Sequence, residues 1–254
     1  MLRRIAPALA AATLLLAACG GSGPAIDDPT EIVTQGIEAT TQLTSAHIAV
    51  TLDGTASIPE LGNQLTLDGT TVEGDFDLEA SQAHLSFSAM GFTGELIQDG
   101  ADSYVKMPLT GPKWLKSTGA AGDPTAELSD PTAMLQGVRD FLDTEGVDAE
   151  KLSDTDCGSG RCYAVRLTIP AEQLAGTAGV AGVDPAELIG DALVLDLLFD
   201  RDDLYLAGVS TELGSESMGQ LTLRVTLSAF NEDVTVDVPS ADEVTEDGGS
   251  LFGF

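Results

Sequence analysis

Basic residues are scarce in this chain, with 11 Lys and Arg against 41 Asp and Glu among 254 residues. That balance argues against nucleic acid as a partner, because a phosphate backbone is held by clustered Lys and Arg. It argues equally against a polybasic contact with anionic headgroups. Histidines number two, His47 and His84, too few for a three-histidine zinc centre. No G-x-S-x-G surrounds a serine, and no glycine-rich phosphate loop carries its lysine. The acids at 200–203 lack the spacing of an EF-hand and read as solvated turn acids. No enzyme chemistry, cofactor or metal is therefore expected.

Long apolar runs are also missing. The apolar stretch between Arg4 and Cys19, Ile5 to Ala18, has 14 residues and no charge, short of the roughly 20 that a spanning helix needs. Arg3 and Arg4 precede it and small residues end it, which is the layout of a secretory signal. Leu16-Ala17-Ala18-Cys19 resembles the lipobox of bacterial lipoproteins in all four positions. That resemblance implies a diacylglyceryl thioether on Cys19 and removal of residues 1–18.

Cleavage there would leave 236 residues and a net charge of 9 − 41 = −32, enough chain for one sizeable core. Such acidity keeps an exported domain soluble. Two cysteines then remain, Cys157 and Cys162, in "CGSGRC". Their spacing fits neither a C-x-x-C redox site nor a zinc knuckle. In an oxidising compartment a local structural disulfide is the better reading, with two free thiols as the alternative. So small a loop is worth about 2 kcal/mol by chain entropy.

Residues 19–28 read as the lipidated cysteine and a flexible spacer, 29–239 as one domain and 240–254 as an acidic disordered tail. Asp28-Pro29 offers a helix start, and Ile32, Val33, Gly36, Ile37 and Thr40 follow at helical spacing, predicting a helix to about Leu43. Asp130-Pro131 repeats the signal, with Met134, Leu135, Val138, Phe141 and Leu142 on one face. Between and after these helices the chain alternates in short apolar–polar runs broken by turns, the pattern of an antiparallel meander. "KWLKS" adds a short strand, "IPAEQLAG" and "DPAELIG" two short helical pieces, and "EDVTVDVP" closes the sheet. Both histidines fall on the polar phase of their strands. The whole reads as α+β: a single strongly curved antiparallel sheet with a few helices on its concave face. Periodicity leaves open whether the helices plug that hollow or leave an apolar cavity suited to acyl chains.

The order of these pieces resembles a known family. A lipobox leads to "TTQLTSAHIAVTLDG", then "SYVKMPLTGPKWLKS", "DPTAMLQGVRDFL", "IPAEQL" and "QLTLRVTLSAFNEDVTVDVPSADEV". Over residues 28–242 this is similar to the LppX/LprA/LprF/LprG family of mycobacterial and related actinobacterial lipoproteins. The resemblance implies a half-barrel like the LolA and LolB carriers, whose cavity binds a lipid or glycolipid for transfer across the envelope. It places the protein on the extracytoplasmic side of the cell membrane, held by the Cys19 acyl anchor, with an envelope lipid transporter as a partner. Cys157 and Cys162 and the high acidity depart from the family's pattern. In-phase residues expected to line the cavity are Leu85, Phe87, Phe92, Leu96, Met134, Leu135, Val138, Leu195, Leu197 and Leu223. The alternative is a ligand-free envelope lipoprotein acting through protein contacts.

Replacing the anchor tests this topology. Cys19→Ala is expected to move the protein from the membrane fraction to the soluble fraction, read by blotting fractionated cells. Retention in the membrane would place the anchor elsewhere.

Overall fold

Folding of the first helix is set by Asp28. Its carboxylate accepts from the backbone N–H groups of Thr30 (2.9 Å) and Glu31 (3.1 Å), while Pro29 fills the first turn, where no N–H is needed. The computed structural model of the chain describes residues 25–58, 63–108, 111–118, 131–142, 144–158, 160–174, 189–215 and 219–246. Cys19 and the leader, the start of the spacer, "DPAEL" of the 184–190 segment and residues 247–254 of the expected tail lie outside them.

Helix α1 spans Pro29–Thr40 and buries the face its spacing predicts: Ile32, Val33, Gly36, Ile37 and Thr40. Gly36 rests on the Phe199 ring so closely that a Cβ would overlap it. The Thr40 hydroxyl donates to the Gly36 carbonyl (2.6 Å) and accepts from the Leu206 N–H (2.8 Å). That bridge ties the last turn to the sheet and stops the helix short of Leu43.

Seven strands follow α1: β1 (Ser45–Ile58), β2 (Asn63–Thr66), β3 (Thr70–Asp77), β4 (Gln82–Ala89), β5 (Phe92–Asp99), β6 (Asp102–Lys106) and β7 (Trp114–Thr118). Helix α2 (Pro131–Leu142) comes next, as its start signal predicts. Then come β8 (Asp148–Lys151), β9 (Thr155–Asp156), β10 (Arg161–Pro170) and a single helical turn, α3 (Ala171–Leu174). Strands β11 (Ala192–Asp200), β12 (Leu206–Ser215), β13 (Gly219–Ser228) and β14 (Val244–Glu246) complete the described elements.

All fourteen strands belong to one sheet, ordered β14-β7-β6-β5-β4-β3-β1-β13-β12-β11-β10-β8, with β2 beside β1 and β9 beside β10. Strands β3 to β7 form one meander and β10 to β13 another, joined where β1 pairs with β13. Every pairing is antiparallel except β14 with β7, so the sheet is mixed and the molecule mostly β rather than the expected α+β. Helix α1 packs on α2, β8, β10, β11 and β12, at one end of the sheet. There Ile32, Val33 and Ile37 meet Tyr163, Val165, Leu197, Phe199 and Leu206 in the main core. The segment before α1 is pinned to the same end: Lys151 donates to the Ile26 carbonyl (2.7 Å) and the Tyr163 hydroxyl accepts from the Ile26 N–H (3.2 Å). Cys157 and Cys162 are disulfide-bonded across a turn with Cα atoms 5.9 Å apart, and Gly158 has a positive φ of 83°.

Two expectations for the C-terminus need correction. "EDVTVDVP" is not a strand; residues 232–240 run outside regular structure. Residues 244–246, expected to be disordered, form β14 on β7, with the Trp114 N–H donating to the Glu243 carbonyl (2.9 Å). Apolar burial is the reason: Val236 and Val244 pack over Ile97, Tyr104 and Trp114, on the face of the sheet opposite the helices. A turn at 240–243 aims the strand. Ser240 Oγ lies 2.8 Å from Asp242 Oδ1 and 2.6 Å from Glu243 Oε2. Hydrogen bonds from Ser240 hold both carboxyls below their ordinary pKa. That support is present above the ordinary carboxylate pKa and is lost as the pH falls through the lowered values.

Trp114 is the only tryptophan, so it reports this contact alone. Val244→Asp should shift its emission to the red and raise its quenching by acrylamide, at a cost of about 1–3 kcal/mol, with the far-ultraviolet circular dichroism unchanged. Unaltered emission would mean that the strand does not cover Trp114.

Candidate functional site

Directly opposed residues on antiparallel strands share a face, and alternate residues change face. Following the register from the core therefore traces one side of the sheet. Val165 opposes Leu197, Leu197 opposes Val209, Val209 opposes Val225, Val225 opposes Val50, Val50 opposes Val72 and Val72 opposes Phe87. This apolar row crosses seven strands. Val165 and Leu197 lie in the core beneath the helices and are fully buried, at 0% and 2% exposure. From Val209 to Phe87 the row is only half-buried. A second row, Leu195, Thr211, Leu223 and Leu52, runs the same way.

The residues expected to line a cavity distribute unevenly along this face. Leu197 is a core residue, and Leu135, Val138 and Leu195 pack against that core. These four make the solid contact between helix and sheet. Leu85 is buried, Phe87, Leu96 and Leu223 are half-buried on the stretch beyond the core, and Phe92 is 50% exposed at the β4–β5 hairpin. Met134 lies in α2, but its side chain is outside the described residues. Sequence reasoning missed Val50, Leu52, Val72 and Val225 as members of the same rows; their alternation carried the signal, but the β1–β13 pairing that aligns them did not.

Away from the Trp114 cluster, the opposite face is polar. His47 lies with Nδ1 2.8 Å from Asp75 Oδ1 and Nε2 3.5 Å from Glu73 Oε1. Asp75 also opposes His84, whose Nε2 is buried without a hydrogen-bond partner among the described residues. Glu73 and Asp75 are 69% and 52% exposed, so this group sits on an open surface rather than in a closed catalytic cleft. Asp200 accepts from the N–H groups of Asp202 and Asp203, and Arg201 pairs with Asp154 at 3.1 Å. The 200–203 acids thus shape a turn, as their spacing suggests.

Among the described residues, two clefts on the polar face can be traced. One, of about 530 Å³, is bordered by Arg166, Asp196, Glu212 and Arg224. Asp196 holds Arg166 through two hydrogen bonds (2.7 and 2.8 Å) and raises its pKa further, and Arg224 lies 3.8 Å from Asp53. Both arginines are thus occupied by the chain's own acids. The other cleft, of about 560 Å³, lies across β3 to β6 and is lined by serine, threonine and glutamate with Phe87, Met107 and Pro108.

A mostly antiparallel sheet with helices packed on one end defines a fold already seen in mycobacterial lipoproteins. One structure that shares it is lipoprotein LppX of Mycobacterium tuberculosis, at 20% identity over 82% of this chain and 97% of that one, with a TM-score of 0.53. LprF of Mycobacterium bovis is similar to the same degree, with a TM-score of 0.53 at 14% identity over 84% of this chain and 97% of that one. At these identities the likeness is one of fold. No family model and no curated protein sequence matches the chain. No helix among the described residues is long and apolar enough to cross a membrane.

Proposed function

We propose that this protein is a lipid-anchored envelope lipoprotein that binds the acyl chains of a lipid or glycolipid in an apolar cavity and helps transfer it across the extracytoplasmic space. The supporting observation is the half-buried aliphatic surface beyond the helices, from Val209 and Val225 through Val50 and Val72 to Phe87. In this reading the sheet curves into a half-barrel and that surface is the floor of the cavity, with Leu52, Leu96 and Leu223 beside it. The lipobox at Cys19 and the LppX-like fold support the same reading.

The energetics favour a carrier that performs no chemistry. Each methylene moved from water to an apolar site is worth about 0.8 kcal/mol, so one long acyl chain gains on the order of 10 kcal/mol. Aliphatic residues alone provide that shelter. A second reading, a ligand-free lipoprotein that contacts a protein partner, draws on Met90 and Phe92, which are 55% and 50% exposed at one hairpin.

Native mass spectrometry of the soluble Cys19→Ala form, purified without detergent, separates the two. A carrier shows an adduct of lipid mass near one per chain. Leu223→Trp should lower that occupancy while the chain stays folded. The matching core change, Leu197→Trp, should instead destabilise the fold by about 1–3 kcal/mol through overpacking. A clean unliganded mass with no extractable lipid would leave the partner-binding reading.

A further inference from the structure

One hydroxyl on the helix-bearing face stands among aliphatic side chains only. Thr211 opposes Leu195 on β11 and Leu223 on β13, so it shares their side of the sheet. Its neighbours along β12 on that side are Val209 and Leu213. Thr211 is buried, at 8% exposure, and its Oγ1 has no hydrogen-bond partner among the described residues. Threonine differs from valine by one oxygen in place of a methyl group. Buried without a partner, that oxygen loses its hydrogen bonds to water and gains none in return. Packing alone therefore favours valine here, and the orphan calls for a partner from outside the chain.

The same row carries a second such group. Leu223 opposes Leu52, and Leu52 opposes Thr70, whose Oγ1 is likewise buried without a partner among the described residues. The remaining orphan of this kind, His84 Nε2, belongs to the opposite face. The two hydroxyls are three strand spacings apart, about 14 Å, with the half-buried Leu223 and Leu52 between them. Thr211 lies at the inner limit of this stretch, next to Leu195, which packs against the core. Thr70 lies at its outer limit, beside the turn closed by its own N–H and the Leu67 carbonyl (3.0 Å), where a polar head can meet water.

We infer that Thr211 contacts the ligand, and that the ligand is an acyl chain carrying a hydroxyl within the chain rather than a plain hydrocarbon chain. The inference rests on the acyl-binding reading above and narrows it to a chemistry that aliphatic residues alone cannot select. A hydroxyl suits the position because threonine both donates and accepts, so either partner can take either role. A charged group does not suit it, because no basic residue stands on the row to pair with it. Binding satisfies Thr211 and the ligand's hydroxyl together, whereas a plain chain leaves Thr211 unpaired. A site that hydrogen-bonds a ligand hydroxyl discriminates strongly against the analogue that lacks it. The separation of the two threonines matches the span from the carboxyl carbon to the twelfth carbon of an extended octadecanoate. That match sets the head near Thr70 and the hydroxyl at Thr211.

Native mass spectrometry of the delipidated Cys19→Ala protein, offered equal amounts of 12-hydroxyoctadecanoate and octadecanoate, reads the preference directly, since the adducts differ by one oxygen. The hydroxylated acid should exceed the plain one at least tenfold in the bound state. Thr211→Val should bring the two within twofold of each other with octadecanoate still bound. It should also raise the Tm, because it removes an orphan and keeps the volume. Equal binding of the two acids, unchanged in Thr211→Val, overturns the role of Thr211 and leaves acyl binding standing, with an internal water as the partner of the hydroxyl. A lowered Tm in Thr211→Val shows that the hydroxyl is satisfied in the unliganded fold and overturns the inference as well. Binding of neither acid overturns the acyl-binding reading and this inference together.

Discussion

The pairing of β1 with β13 is the constraint on which the rest of this molecule depends. Its register runs from His47 opposite Ser228 to Ala56 opposite Gly219, joining segments more than 160 residues apart in sequence. Without it there would be two meanders, each with a bare edge. With it the apolar rows of both halves fall into line, and the polar rows line up on the other side. The contact is close at one end, where a Cβ on Gly54 would strike the Gln220 carbonyl and one on Gly219 the Thr55 carbonyl. Both glycines have positive φ, 121° and 91°, so the tight approach and the backbone twist require the same residue. Closing so long a loop is entropically costly and is repaid only as the ladder forms.

What could be read from the sequence follows from how local each signal is. The Asp28-Pro29 start, the Ile32, Val33, Gly36, Ile37, Thr40 face and the limits of α2 depend on neighbours in the chain, and all appear in the structure. So do the alternating strands and the Cys157–Cys162 turn. The C-terminal strap was hidden because nothing local distinguishes residues 240–246 from an acidic tail. Val244 becomes structural only by meeting Trp114, some 130 positions earlier. The candidate site was legible at the level of the face and not of the residue. Leu197 and Leu223 have the same phase and the same side chain, yet one lies under a helix and the other beyond it. That difference is made by where α1 and α2 dock, which the strands do not encode.

The two faces of the sheet divide the labour. On the helix-bearing side, burial falls from complete at Val165, Leu167 and Phe199 to partial at Val50, Val72 and Phe87. A rigid core thus adjoins a surface that the described helices leave partly open to solvent. On the opposite side the few cations are placed against acids or aromatic rings: Arg166 on Asp196, Lys116 on Asp102 and Tyr104, Lys106 over Trp114. The Asp102 carboxylate, hydrogen-bonded to Lys116, raises that ammonium above its ordinary pKa. In so acidic a chain, these basic groups are committed to local structure.

The outermost strands carry a consequence for behaviour at high protein concentration. A sheet this wide ends in two edges whose free N–H and carbonyl groups invite a strand from a neighbouring molecule. Here one end is β8, "DAEK", and the other β14, "VTE", four and three residues long. Both are too short to template an extended ladder. A second copy docking edge to edge would set Asp148, Glu150 or Glu246 against acids of its own kind. The terminal strands thus act as bumpers, and a protein with a long sheet and an apolar face can be held at high local density without its sheets fusing.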